Sequence, residues 1–216
     1  MRSRPLDPRN AFTLAEMLVA LGIILLLVSM TAFAILRFRN TGPYNATVAN
    51  MNKIKAALDT QWKAVVDKAK KDSIPDSIPG AKVDPNTRQS FLAARLKQAF
   101  PQDIVEANGT NNPLGPHPGY VKFLTGLQGT FTPDEQNAVF LMMILERGPS
   151  NPGITPDVLG TSAAIRLGTA SSAFGVVDAW GRPLRFIRNP NGYLLRSDGP
   201  DGKPNTDDDI VSNQDL

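Results

Sequence analysis

The sequence contains no cysteine and a single histidine, His117, among its 216 residues. Without cysteine the chain can form neither a disulfide nor a cysteine-ligated zinc site, and it has no thiol nucleophile. His117 lies between Pro116 and Pro118 in a polar segment, a setting that favours a structural histidine over a catalytic one. The phosphate-binding loop of nucleotide motors is also missing. These absences indicate that the protein is not an enzyme.

The chain also has only a small excess of positive over negative charge. The formal net charge is +3. Three arginines and one aspartate fall in the first eleven residues, so the charge drops to +1 without them. Binding to nucleic acid needs a basic patch or stripe. We therefore expect no nucleic-acid partner.

The sequence does contain one long apolar segment near its N-terminus. It runs without charge from Met17 to Leu36, about the 20 residues that a helix needs to cross a bilayer. Glu16 stands at its edge, where a carboxylate costs roughly 3 kcal/mol and therefore marks a functional position. A small residue, Ala11, precedes the apolar run, whereas a secretory signal peptide has its small residues after it. The segment should remain as a membrane anchor, with Glu16 paired to a positive group or merely reaching the interface.

The segment Ala11-Phe12-Thr13-Leu14-Ala15-Glu16 resembles the leader junction of type IV prepilins, whose mature chain begins F-T-L-x-E. This chain has Ala11 where the family usually has glycine. The resemblance implies cleavage between Ala11 and Phe12 by a prepilin peptidase, followed by N-methylation of Phe12. It also implies that the new amino group of one subunit pairs with Glu16 of a neighbour during assembly.

An amphipathic helix is predicted beyond the apolar run. Apolar side chains recur at three- and four-residue spacing, which predicts one buried face: Val48, Met51, Ile54, Leu58, Trp62, Val65 and Ala69. Gly42-Pro43 lies between the two segments. Because proline removes a backbone hydrogen bond, this pair predicts either a kink in one long helix or a break between two helices.

The rest of the head combines helices with short strands. One helix is predicted over Thr87 to Phe100, and another opens at Thr132-Pro133-Asp134-Glu135 and ends at Gly148. Loops rich in Gly, Pro and Asn separate them. Three short segments with alternating apolar residues predict an antiparallel meander: Gly175–Asp178, Leu184–Ile187 and Tyr193–Arg196.

Five aspartates lie between Ser197 and Ile210, a segment that also contains glycine and proline. Carboxylates so close together repel one another, whereas a hard divalent cation such as calcium takes six to eight oxygen ligands. The spacing does not match an EF-hand loop. The sequence leaves two interpretations open, a calcium-binding loop and a free acidic tail.

The C-terminal part also resembles the major pseudopilin of type II secretion systems. The matching segments are Asp178-Ala179-Trp180-Gly181-Arg182-Pro183 and Ser197 to Ile210, with Ala179 where that family has proline. The resemblance implies a three-stranded sheet and a calcium loop. It assigns side-chain oxygens of Asp201, Asp207 and Asp209 as ligands, together with the backbone carbonyl of Asp198. Asp208 should face water.

Together these features predict an α+β fold in which a long N-terminal helix packs on a small antiparallel sheet and a partly helical region is inserted. The predicted divisions are a cleaved leader (1–11), a transmembrane and filament-core helix (12–39), its amphipathic continuation (40–71), a variable inserted region (72–174), and the sheet with its calcium loop (175–216).

The resemblance implies a structural subunit of a type II secretion pseudopilus, anchored once in the bacterial inner membrane with its head in the periplasm. Its partners would be other copies of the chain, other pseudopilins, the prepilin peptidase, a platform protein and an assembly ATPase. The inserted region is longer than that family normally has. It leaves open a minor pseudopilin, a type IV pilin or a membrane-anchored binding protein with a recognition head.

Overall fold

The computed structural model describes residues 13–78, 86–150, 153–160, 162–170, 173–189 and 191–213, with only the backbone of 33–40 and 213. The chain divides into two compact units, Met1–Gly42 and Pro43–Leu216. The second unit, called the head below, contains helices and two small antiparallel sheets. The predicted α+β class is therefore confirmed.

Helix α1 extends over Leu14–Lys71 and includes Pro43 in its interior. The helix is continuous at this proline, so a break between two helices is wrong. Proline removes one backbone hydrogen bond, and the neighbouring bonds of a long helix can hold the turn together despite that loss. Lys68, Lys70 and Lys71 occupy the last turn, where positive charge complements the helix dipole.

Within the described residues, five further helices and five strands follow α1. The helices are α2 (Thr87–Ala99), α3 (Ile104–Ala107), α4 (Pro118–Gly126), α5 (Pro133–Arg147) and α6 (Pro156–Leu159). The strands are β1 (Ala164–Arg166), β2 (Phe174–Val176), β3 (Arg185–Asn189), β4 (Gly192–Ser197) and β5 (Ile210–Asn213). The predicted helices over 87–100 and 132–148 thus correspond to α2 and α5.

The sheets differ from the predicted meander in one strand. The segment predicted at 175–178 forms β2, which pairs with β1 in a separate two-stranded sheet. The three-stranded sheet has the order β3-β4-β5, and its third strand comes from the end of the acidic loop. Its strands are antiparallel, with Phe186 opposite Leu195 and Arg196 opposite Val211. The prediction of a strand at this position is therefore confirmed, but its place in the three-stranded sheet is wrong, because β5 occupies that place.

A cluster of aromatic rings joins α1 of the head to the three-stranded sheet. Trp62 lies 5.1 Å from Phe100 and 5.7 Å from Tyr193 between ring centroids, and Phe186 lies 5.6 Å from Tyr193. The Tyr193 hydroxyl is 2.6 Å from Asp59 Oδ1. Burial, with the Asp59 carboxylate, raises the pKa of Tyr193, so the hydroxyl stays protonated and can donate this hydrogen bond. The amphipathic part of α1 is thereby fixed against the sheet.

The outer edge of β3 is closed by a side-chain amide. Asn137 of α5 accepts from the Phe186 N–H at 2.7 Å and donates to the Phe186 carbonyl at 2.9 Å. Both backbone groups of Phe186 are thus paired as they would be in a neighbouring strand. Next to this edge Arg188 and Glu106 form a two-pronged ion pair with distances of 2.8 and 3.1 Å.

Candidate functional site

The first candidate site is the N-terminal end of α1. The Thr13 N–H and hydroxyl both donate to Glu16 Oε2 at 2.9 Å, and the Glu16 N–H donates to the Thr13 hydroxyl at 3.3 Å. This is the reciprocal arrangement of a capping box, which satisfies two donors at a helix start. Glu16 Oε1 has no hydrogen-bond partner among the described residues. One carboxylate oxygen therefore caps the helix while the other stays available.

The helix that follows Glu16 is apolar and exposed. Leu14–Ala32 is the one segment of the described residues that is long and apolar enough to cross a membrane. Leu14 is 79% exposed, and the apolar side chains from Met17 to Met30 are each more than half exposed. Exposed apolar surface of this extent needs lipid or another protein to cover it. Ala11 and Phe12, the predicted cleavage residues, lie outside the described residues.

The second candidate site is the acidic loop between β4 and β5, and a buried aspartate supports its base. Asp178 is 1% exposed and accepts from the N–H groups of Trp180 and Arg182 at 3.0 and 2.9 Å. Its other oxygen accepts from the Ser197 hydroxyl at 2.7 Å. A buried carboxylate requires such donors. These hydrogen bonds therefore hold the turn at 178–182 against Ser197, the last residue of β4. The Asp178 turn thus fixes the point at which the loop leaves β4.

Arginine side chains hold the first half of the loop. The Arg182 guanidinium donates to the carbonyls of Gly199 and Pro200, the latter at 2.9 Å. It also lies against Gly202, whose φ of 69° and lack of a Cβ allow this approach. Sequence reasoning did not assign a role to Arg182. The only local feature of the sequence that points to this role is the position of Arg182 directly after the Trp180-Gly181 turn.

Two of the predicted ligand residues form ion pairs. Asp198 lies 2.6 Å from Arg185 and 3.5 Å from Arg196, and Asp209 Oδ2 lies 2.8 Å from Arg196. Arg185 and Arg196 are directly opposite each other on β3 and β4. Like charges in such a cross-strand pair repel each other, and Asp198 offsets that repulsion. The carboxylate of Asp198 is therefore engaged with arginine.

The second half of the loop brings three carboxylates to one hydroxyl. Thr206 Oγ1 lies 2.6 Å from Asp208 Oδ1, 3.4 Å from Asp201 Oδ1 and 3.5 Å from Asp209 Oδ1. The Lys203 carbonyl oxygen is 2.9 Å from the same atom. A hydroxyl has one proton and can donate to only one of these oxygens. Asp201, Thr206, Asp208 and Asp209, called the oxygen cluster below, are thus rich in acceptors.

Asp207 and Asp208 have the reverse of their expected environments. Asp207 is exposed and forms no side-chain hydrogen bond or ion pair with another described residue, whereas Asp208 is half-buried. Hydrogen bonds from the Thr206 hydroxyl and the Asp201 N–H lower the pKa of Asp208 and keep its carboxylate ionised. Sequence reasoning missed Asp208 and Thr206. The Asn205-Thr206 pair before three aspartates is a turn signal that could have indicated them.

The oxygen cluster suits a hard divalent cation in donor type, because it offers carboxylates, a hydroxyl and a backbone carbonyl. Its geometry is looser than a coordination shell. No group of three or more His, Cys, Asp or Glu side chains in the described residues is arranged to hold a metal ion. A bound ion would have to draw the carboxylates of Asp201, Asp208 and Asp209 inward. Of the predicted side-chain ligands, the structure brings Asp201 and Asp209 together and leaves Asp207 apart. The backbone carbonyl of Asp198, predicted as the fourth ligand, accepts from the Gly202 N–H at 3.1 Å.

Comparison of the chain with protein-family models, with curated proteins and with solved structures returns no match.

Proposed function

We propose that this chain is a structural subunit of a type II secretion pseudopilus, with the fold of the type IV pilin-like class. The observation that carries the proposal is the N-terminal end of α1. There a single carboxylate, Glu16, precedes an uncharged and exposed apolar helix, and one of its oxygens has no hydrogen-bond partner in the part of the chain that the structure describes. The prepilin-like sequence around Phe12 adds support.

In this proposal the apolar segment serves in turn as anchor and as filament core. Leu14–Ala32 crosses the inner membrane before assembly, with the arginine-rich leader on the cytoplasmic side and the head in the periplasm. Cleavage after Ala11 creates a positive amino group on Phe12. That group pairs with Glu16 Oε1 of a neighbouring subunit, because a charge in an apolar environment is stable only when it is paired.

Repetition of one subunit contact builds the filament. A contact between two different surfaces that does not close into a ring continues as a helix. The chain has no phosphate-binding loop, so the energy for assembly comes from the ATPase acting through the platform protein. The growing filament then helps to export folded proteins.

A calcium ion at the oxygen cluster forms part of the same proposal. The ion would pair with Asp201, Asp208 and Asp209 and fix the loop that leads into β5. An ion that binds only the folded state stabilises it by mass action, by about 2.7 kcal/mol at a hundredfold excess over its dissociation constant. In a chain without disulfides, this stabilises the C-terminal end of the head.

A second candidate function is favoured by the inserted region. Helices α2–α6 lie between α1 and the three-stranded sheet in the chain, and α1, α2 and the start of α4 surround a cavity. A minor pseudopilin, a type IV pilin or an anchored binding protein would use such a region for recognition. Assembly into a homopolymer favours the first candidate, and a head that stays monomeric favours the second.

The pairing role of Glu16 can be separated from its capping role by two substitutions. Glu16→Gln removes the charge, but glutamine also completes a capping box. Thr13→Val removes the capping hydroxyl and leaves the charge. We expect Glu16→Gln to abolish filament formation and Thr13→Val to preserve it. The measurement is sedimentation of filaments sheared from cells that co-express the peptidase, platform protein and ATPase. Normal filaments from Glu16→Gln would contradict the pairing.

A further inference from the structure

A cavity of about 150 Å³ lies between α1, α2 and the start of α4. Its apolar lining includes Val65 and Ala69 of α1 and Ala99 of α2, which are all buried. Engineered cavities of this volume hold a molecule of the size of benzene, about six non-hydrogen atoms. The cavity is therefore large enough for a small ligand with an apolar body.

Three residues that line the same cavity, Lys68, Arg95 and His117, each have a nitrogen donor without an acceptor among the described residues. Lys68 of α1 is exposed and has no carboxylate partner among the described residues. Arg95 of α2 pairs with Asp72 through Nη2 at 3.1 Å and donates through Nη1 to Gln98 Oε1 at 3.3 Å, while its Nε is buried without a hydrogen-bond partner in the described ranges. A buried donor without a partner costs free energy, and a ligand that brings an acceptor to this nitrogen would recover that cost.

The third donor is the imidazole of His117. Its Nδ1 accepts from the Gly119 N–H at 3.2 Å, at the N-terminus of α4. Since Nδ1 is an acceptor, the proton of the neutral ring is on Nε2, which has no partner among the described residues. Burial, with the positive charges of Arg95 and Lys68, lowers the pKa of His117. The ring is thus neutral near pH 7 and sensitive to any negative charge that enters.

We propose that this cavity binds a small organic carboxylate with a short apolar body, held by Lys68, Arg95 and His117. The carboxylate accepts from the three nitrogen donors, and the apolar body lies against Val65, Ala69 and Ala99. Asp72 neutralises only one of the two permanent positive charges, so one is left for the ligand. This binding activity goes beyond the role of the chain in a filament.

His117 provides a direct test, because it is the only histidine in the chain. The full chain in detergent, purified without a histidine tag and labelled at histidine, gives one imidazole signal to follow by NMR through a pH titration. The probes are isobutyrate and its uncharged amide, isobutyramide. Isobutyrate should raise the pKa of His117 by about one unit, the size expected for an opposite charge in contact with it. Isobutyramide should leave it unchanged.

A matched pair of lysine variants locates the bound anion. Lys68 and Lys70 are both exposed on the last turns of α1, but only Lys68 lines the cavity. Lys68→Gln should weaken isobutyrate binding roughly tenfold, as loss of a charge-assisted hydrogen bond does, and Lys70→Gln should not. Equal effects of the two variants would overturn the proposal. So would a His117 signal that does not respond to isobutyrate, or that responds equally to isobutyramide.

Discussion

Gly148, at the C-terminal end of α5, has no space for a side chain. A Cβ there would lie 2.7 Å from Gln61 Cδ and would also overlap with Gln61 Oε1 and the Ile144 carbonyl oxygen. Gln61 is fully buried and donates to that same carbonyl at 3.1 Å. The φ of Gly148 is −64°, which any residue adopts, so the requirement for glycine is steric. At this position α5 and α1 of the head lie too close together to admit a side chain.

Gly148→Ala should therefore destabilise the head by about 2 kcal/mol, because the methyl group forces the Gln61 amide out of a packed position. The measurement is urea unfolding of the full chain in detergent, followed by the fluorescence of Trp62 and Trp180. Gly126→Ala is the matched control, since nothing lies within 4 Å of a Cβ at Gly126. Equal midpoints for the two variants would show that α5 does not need this contact.

Local signals identified the head part of α1 and the helices α2 and α5, whereas the shorter helices α3, α4 and α6 were not predicted. Thr132-Pro133-Asp134-Glu135 predicted a helix start, and the structure has a capping box there, with the Thr132 N–H 2.8 Å from Glu135 Oε2. The apolar face predicted from Val48 to Ala69 is also the buried face, including Met51, Ile54 and Leu58. Such features depend on residues within four positions of each other, and the sequence shows these directly.

Pairings between distant segments were not predictable in the same way. Gly175–Asp178 has the pattern of a strand, but the pattern does not specify its partner, and β2 pairs with β1 instead of joining the meander. The composition of residues 108–119 predicts a loop, whereas α4 already begins at Pro118, with His117 as its cap. In the acidic loop Asp208, and not Asp207, joins the oxygen cluster after a turn at Asn205, where φ is 66°. The Asn205-Thr206 pair indicates a turn, but it does not specify which of the three following carboxylates lies against Thr206.

The ion pair between Arg188 and Glu106 joins α3 to β3 and gives the head a dependence on pH. Burial opposes ionisation of Glu106, but the hydrogen bonds and charge of Arg188 outweigh it, and the pKa of Glu106 is lowered. The folded head thus binds this proton more weakly than the unfolded chain. Its contribution to stability is complete above the unfolded pKa, about 4.3, and is lost as the pH falls through the folded value.

We expect the urea midpoint of the full chain to decrease as the pH is lowered from 6 to 3. In Glu106→Gln the decrease should be smaller. The variant removes the titrating group while keeping a side chain of similar size. The comparison is made with Glu146→Gln, since Glu146 pairs with its neighbour Arg147 at the end of α5. A fall of the same size in Glu106→Gln and in the unmodified chain would contradict the role of this pair.

At the scale of the whole molecule, calcium should stabilise the head through the oxygen cluster. We expect millimolar calcium to raise the melting temperature of the full chain and a chelator to reverse the rise. Asp208→Asn should abolish the rise, because Asp208 is in the cluster, whereas Asp207→Asn should retain it. Loss of the rise in Asp207→Asn alone would instead support the ligand set implied by the pseudopilin resemblance. No rise in the unmodified chain would exclude the ion.

In the proposed function, filament assembly depends on how the N-terminus is processed. An uncleaved leader would keep three arginines in front of the apolar helix and leave Glu16 without the amino group of a neighbour. A processed chain would begin with a positive group next to that helix. The two forms differ in mass at one peptide, so a single spectrum distinguishes them.

The most direct measurement is therefore the mass of the N-terminal peptide from chains isolated from membranes of cells that express a prepilin peptidase. We predict a peptide that begins with N-methylated Phe12, and an intact leader when the peptidase is absent or when Ala11 is replaced by leucine. A chain that still begins at Met1, in cells whose peptidase processes a known prepilin, would contradict the proposal that this protein is a pilin-like filament subunit.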